Sequence, residues 1–368
     1  MTDIKVDPKL VHKSFSLGCI WLIIAGIGQI LGKSDLAGIA GDGGITALSF
    51  LGSPVLTYGW LSSSAIGLTY YILPHICGCR PVAARIAMFG MWVWNVTLAL
   101  SLLISWYFTN SISAEQIAPW QAAGFLFAYF WQIYGVRHTI HERSHKELPW
   151  TGKLLAIGWI GLFFVLALQC CSPWLWPAAS TAGRMLHMSQ YMLLAVWCLP
   201  IAVATMLFHR DIRGAMRIPG QGLVRMGLIL VAIMIFRSAG NLLIPETQHS
   251  VWQITDELSL VALAVCSLWT IAGMQIIWPK VYIVFSTTRR DTWLGLVILA
   301  IGVYIIGSTA WQSWNVIGQL APNPELISAG LLLQLTLDFC IALFGGIGLL
   351  ILGWFVFLMR RTTPELTY

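Results

Sequence analysis

The sequence predicts an all-α fold: a polytopic membrane helix bundle of about ten transmembrane helices, built as one domain over residues 1–368. Three observations predict it. The chain is 58% hydrophobic and only 10% charged, whereas an ordinary soluble domain carries about 25% charged residues, so the polar shell of a globular protein is missing. Its apolar residues are gathered into runs of the length, about 20 residues, that a helix needs to cross a hydrocarbon core of about 30 Å. Lys and Arg recur at every second junction between those runs, as they do in a chain that crosses a membrane repeatedly.

The first run, 14–32, follows MTDIKVDPKLVHKS, a charged segment with no small-residue cleavage site after the apolar stretch, so it reads as a span and not as a removed signal. The Gly-rich loop 33–49 is expected on the outer side. The runs 50–74, 84–108, 118–137, 152–172, 184–208, 222–244, 252–278 and 291–312 follow. The last run, 328–358, is long enough to tilt. Helices are the expected state, because an unpaired backbone group in lipid has no water to bond.

With the N-terminus placed in the cytoplasm and sides alternating, the cytoplasmic segments hold 18 of the 21 basic residues; Lys33, Arg184 and Arg237 fall elsewhere. Both termini are then cytoplasmic. The net charge of +6 is accounted for by this asymmetry and by attraction to anionic lipid, and calls for no nucleic acid. Trp106, Trp120, Trp174, Trp176, Trp252, Trp311 and Trp314 fall at outer helix ends and Trp150 and Trp278 at inner ends, as interfacial anchors do. Trp92, Trp94 and Trp197 read as interior.

Most of the eight cysteines lie in apolar runs, where Cys behaves as a small hydrophobe. Cys77-Gly78-Cys79 is too tightly spaced for a CxxC metal ribbon. Ionisable groups inside spans are functional candidates: Arg237 in the seventh run, Asp256 and Glu257 in the eighth, Asp338 in the last. Asn95, Gln169, Gln190, Asn241, Gln275 and Gln334 are their neutral company. The cluster reads either as a proton or ion route or as a structural ion pair between Arg237 and Glu257 or Asp256. Asp338 is the deepest candidate for proton handling.

Seven of the eight histidines fall in loops or at helix ends; His187 alone lies inside a span. His138, His141 and His145 share the i, i+3, i+7 spacing of a metal comb, but Arg137, Arg143 and Lys146 surround them, which reads as a solvated basic extension. His187 with Glu257 or Asp256 is the remaining metal candidate. No P-loop, GxSxG or HExxH motif is present.

Three segments carry a resemblance: LTYYILPHICGCRPVAARIAMFGMWVWN at 68–95, EQIAPWQAAGFLFAYFWQIYGVRHTIHERSHKELPW at 115–150, and VWQITDELSLVALAVCSLWTIAGMQIIWPKVY at 251–282. They resemble the end of the second helix with the third, the fourth, and the tenth helix of subunit I of haem–copper oxidases, most closely the catalytic subunit of the cbb type. The WPKVY turn at 278–282 is similar to the family's closing turn. The resemblance implies an oxidase-like scaffold, and the same residues depart from its chemistry. Aligned back from WPKVY, Glu257 and Ser259 stand where the family's haem-ligating HxH pair would be. Gly52 stands near the second-helix haem ligand, and no His-His pair exists for copper. Only His187 falls at a copper-ligand position. Haem and copper need His, Met or Cys donors.

The function expected from this combination is a cofactor-poor, oxidase-like subunit. It would anchor or assemble redox partners, such as c-type cytochromes, in a respiratory electron-transfer complex of the bacterial inner (cytoplasmic) membrane. No cofactor is expected in this chain itself, and it is not expected to be catalytic alone. The alternatives are a haem b subunit with non-standard ligation, working within a terminal-oxidase-like complex, and an ion or proton transporter using the intramembrane acids. Trp92, Trp94, Trp197 and Trp269 are expected to fill the volume that haem occupies in a true oxidase.

Overall fold

The computed structural model describes residues 6–36, 55–107, 114–144, 147–175 and 192–213, with Cys266, Trp269 and Thr270. The described residues form helices and turns, with no strand among them. Helix α1 spans Pro8–Leu36. A π-helical segment, Val55–Leu61, runs directly into α2, Ser62–Cys77. Then come α3, Ala84–Tyr107, α4, Ala114–His141, and α5, Trp150–Leu175. A second π-helical segment, Leu194–Cys198, leads into α6, Leu199–Arg213. The runs 222–244, 252–278, 291–312 and 328–358 lie outside the described residues, apart from Cys266, Trp269 and Thr270.

Local chemistry sets the helix ends. Asp7 Oδ1 accepts from the Lys9 and Leu10 amides at 2.9 and 3.4 Å, and Pro8 takes the first helical position, where its missing N–H costs nothing. At the end of α2, Gly78 adopts φ 66° and returns its N–H to the Pro74 carbonyl, a left-handed cap that glycine adopts without strain. Ala83 (φ 59°) is left-handed too, and its carbonyl accepts from Ile86 and Ala87 as α3 begins. Where the first π-helical segment runs into α2, the Ser62 hydroxyl donates to Thr57 O, five residues back, at 2.7 Å, matching the wider turn.

The contacts fix an up-and-down order. Residues 14–21 of α1 meet 59–67 of the second helix in reverse order, while Lys13, Ser14 and Trp21 meet Met88, Met91 and Asn95 of α3 in the same order. Helix α4 runs antiparallel to α3: Gln132 Nε2 bonds Ala87 O at 2.9 Å, and Gln121 Nε2 bonds Ser101 Oγ at 3.0 Å. Tyr58 meets Gln169 and Thr69 meets Trp159, so α5 opposes α2. One end of the bundle therefore gathers the start of α1, the α2–α3 turn, the α4–α5 turn and the end of α6. Exposed Lys9, Lys13, Arg80, Arg85, Arg137, Arg143 and Lys153 all sit at that end.

Among the described residues, two helices are long and apolar enough to cross a membrane, over Ala84–Ile104 and Trp150–Ser172. Within each stretch 39% of the most apolar window is buried. Phe89, Trp92, Val96, Leu100 and Leu103 are exposed on α3, and Ile157, Ile160 and Phe164 on α5. Trp120, Trp150 and Trp174 are widely exposed near helix ends.

Candidate functional site

The interior of the described bundle is an aromatic stack crossed by buried polar bonds. Tyr58 lies flat on Phe125 with ring centroids 4.9 Å apart, and Phe125 stacks on Trp94 at 4.3 Å. Trp94 meets Trp197 at 5.6 Å, and Trp197 meets Trp159 edge-on at 5.6 Å. Tyr129 continues the stack from Trp159 at 6.0 Å. Trp94, Trp159 and Trp197 are each no more than 1% exposed. The two π-helical segments supply Tyr58 and Trp197, so both irregular turns deliver a ring to the same stack. Gly59 makes room beside it: a Cβ there would stand 2.6 Å from Trp21 Cγ.

Polar groups tie the helices around this stack. Asn95 is the hub. Its Oδ1 accepts from Trp21 Nε1 at 2.6 Å and from Ser63 Oγ at 3.2 Å, while its Nδ2 donates to Met91 O at 2.8 Å, joining α1, α2 and α3. Trp94 Nε1 donates to Tyr58 O at 2.8 Å, Tyr58 to Gln169 Oε1 at 3.1 Å, and Trp159 Nε1 to Thr69 Oγ1 at 3.3 Å. Tyr70 donates to Gln132 O at 2.8 Å. Buried Gln169 Nε2 and the Trp60, Trp197 and Trp269 indole N–H groups have no hydrogen-bond partner among the described residues.

At the basic end, two turns are sewn together. Ser144 donates from its amide and hydroxyl to Cys77 O, at 2.8 and 3.1 Å, and Val82 N donates to Thr139 Oγ1 at 3.2 Å. Burial pushes the Cys77 thiol up to about 12, with neighbouring Cys79 adding to it and Arg143 opposing. Burial, and then Glu142, raise Cys79 in the same direction. Both thiols stay protonated near neutral pH and are weak nucleophiles and weak metal ligands there.

The residues singled out in the sequence divide sharply. Gly52, His187, Arg237, Asp256, Glu257, Ser259 and Asp338 lie outside the described residues, as does His145. Every described Asp and Glu sits at or beyond a helix end. The histidine comb does not continue: α4 stops at His141, with the His138 ring tilted against Tyr134, centroids 4.4 Å apart. Among the described residues no group of three or more His, Cys, Asp and Glu could hold a metal.

Trp94 and Trp197 are interior as expected, and Trp269 is partly buried against the core, but Trp92 is 44% exposed. Trp92 cannot fill an internal volume. It sits two residues from buried Trp94, about 200° around a helix, and so faces the opposite way. Neighbouring rings of the stack have centroids between 4.3 and 6.0 Å apart. Residues that the sequence left unnamed, Trp21, Tyr58, Phe125 and Trp159, complete the stack and its hub. Compared with known proteins, the chain matches no family model and no curated protein.

Proposed function

We propose that this chain is a multi-pass subunit of the bacterial inner membrane, with ten spans and cytoplasmic termini. On this reading it is an oxidase subunit I-like scaffold without haem or copper of its own, and it anchors redox partners of an electron-transfer complex. The observation that carries the scaffold reading is the closed aromatic stack of Tyr58, Phe125, Trp94, Trp197 and Trp159. Its rings pack side by side between the helices, and this supports a packed scaffold as the reading of the interior. The membrane reading draws its support from the two long apolar helices, their outward-facing apolar residues and the collection of basic side chains at one end of the bundle. The subunit I-like part rests on the resemblance of 68–95, 115–150 and 251–282, with Gly52, Glu257 and Ser259 at ligand positions.

The test is a pyridine haemochrome and copper assay on the chain after mild-detergent separation from its partners, with the co-purifying proteins identified. The expected result is sub-stoichiometric haem and copper in the chain and a c-type cytochrome among the partners. Stoichiometric haem b would overturn the reading and return the chain to electron transfer in its own right.

A further inference from the structure

We infer that the seam between α3 and α4, at the basic end of the bundle, is a binding site for one anionic phospholipid; the inference rests on the membrane reading above. Two exposed stripes meet there. On α3, Arg85, Phe89, Trp92, Val96, Leu100 and Leu103 are all exposed, at spacings of four, three, four, four and three residues, so they share one helix face. On α4, Phe127, Phe130, Trp131, Tyr134 and Arg137 are exposed at the matching spacings of an adjoining face. Phe89 and Trp131 touch edge-to-face at 5.4 Å, and Phe127 meets Trp131 at 6.0 Å, which joins the stripes into one apolar surface.

Each stripe ends in an arginine, and the register puts the two arginines at the same level. A Cβ on Gly135 would stand 3.4 Å from Ala87 Cβ, and Val82 N lies 3.2 Å from Thr139 Oγ1. Arg85 and Arg137 fall between these two fixed points on their respective helices. Neither has a carboxylate partner among the described residues. Tyr134 adds an exposed aromatic one turn below Arg137.

The surface thus has the polarity of a phospholipid: a long apolar strip for an acyl chain, an aromatic collar, and two guanidiniums, without a carboxylate partner among the described residues, where a phosphate would sit. Guanidinium is suited to phosphate because its planar fork can donate two parallel hydrogen bonds. A zwitterionic headgroup would bring its own cation against the same two arginines. The charge arrangement therefore selects an anionic lipid such as phosphatidylglycerol.

The experiment uses the full chain in detergent, with any partners it retains, and counts lipid adducts by native mass spectrometry. Phosphatidylglycerol, phosphatidylcholine and inorganic phosphate are offered separately. The variants are R85Q/R137Q, the charge-keeping R85K/R137K, and K9Q/K13Q as a control at the same end of the bundle. The wild type is expected to retain phosphatidylglycerol over phosphatidylcholine, with no phosphate adduct. R85Q/R137Q should lose about fivefold of that preference per arginine, R85K/R137K should lose less, and K9Q/K13Q should be nearly unchanged. Equal retention by R85Q/R137Q and wild type overturns the site, as does an equal loss in K9Q/K13Q. Retention of free phosphate as strong as that of the lipid overturns the lipid assignment. Alkaline carbonate extraction of host membranes reports separately: release into the soluble fraction would sink the membrane reading, whereas a chain that stays in the pellet without lipid preference sinks this site alone.

Discussion

Replacing Asn95 with leucine tests the polar hub directly. Leucine has the same branched shape and number of heavy atoms, with bulkier methyls in place of the amide O and N, so the change removes hydrogen bonds without opening a cavity. Two cross-helix bonds are lost, from Trp21 Nε1 at 2.6 Å and from Ser63 Oγ at 3.2 Å, along with one bond inside α3 to Met91 O. Cross-helix hydrogen bonds in membrane proteins average about 0.6 kcal/mol each, giving about 1.2 kcal/mol for the pair. The stranded indole N–H adds a desolvation cost of about 1 kcal/mol or more. The expected loss is therefore about 2 kcal/mol, read from unfolding of the full chain in mixed micelles as SDS is titrated against circular dichroism. A double-mutant cycle with Trp21→Phe isolates the bond: the second substitution removes the stranded donor, so the double variant should be more stable than the sum of the singles by about 1 kcal/mol. An Asn95→Leu chain as stable as wild type, or a cycle that closes to zero, would show that α1 and α3 are not joined through this pair.

Gly59→Ala forces a methyl against Trp21 and should cost about 1–3 kcal/mol in the same unfolding assay. Ala83→Gly relieves a left-handed backbone that disfavours a Cβ and should stabilise the α2–α3 turn by up to about 1 kcal/mol. Trp197→Ala empties the centre of the stack and should cost about 3–5 kcal/mol, with a lower unfolding midpoint and a quenched near-ultraviolet signal. Because Cys77 is raised to about 12, its alkylation by iodoacetamide in the native chain should be at least about a hundredfold slower than that of free cysteine at pH 8, and should climb as the pH approaches 12. The same raised value means that the thiol's contribution to stability is complete below pH 9 and is lost between there and pH 12.

The helical character of the described residues was legible in bulk composition and run length, because apolar stretches of that size in lipid leave the backbone no other way to satisfy itself. The apolar runs could not reveal the two π-helical segments, since one added residue leaves hydropathy unchanged. The direction of Trp92 was open to a simple angular argument, yet a Trp-rich helix draws attention to number over phase. Asn95 stood out as a polar residue in a span, but its partners are 74 and 32 residues away in sequence, and no local pattern joins them. The ionisable candidates Arg237, Asp256, Glu257 and Asp338 stood out for their cost in lipid, and they lie outside the described residues, so the aromatic stack was assembled from side chains that carry no charge at all.

The wide turn at Val55–Leu61 has a consequence for how this protein can change. A π turn is an α-helix with one residue in surplus. Deleting any one of those seven residues would restore regular winding and rotate everything before it by about 100° relative to α2. Tyr58 would swing away from Phe125, and Gly59 would no longer face Trp21. A second surplus residue at Leu194–Cys198 sets the angle of Trp197 in the same manner. Each acts as a phase setting for one ring of a shared stack. Point substitutions can drift around these settings, but a single-codon deletion in either would detune several distant partners at once, and insertions or deletions should be far rarer there than in the turn at 78–83.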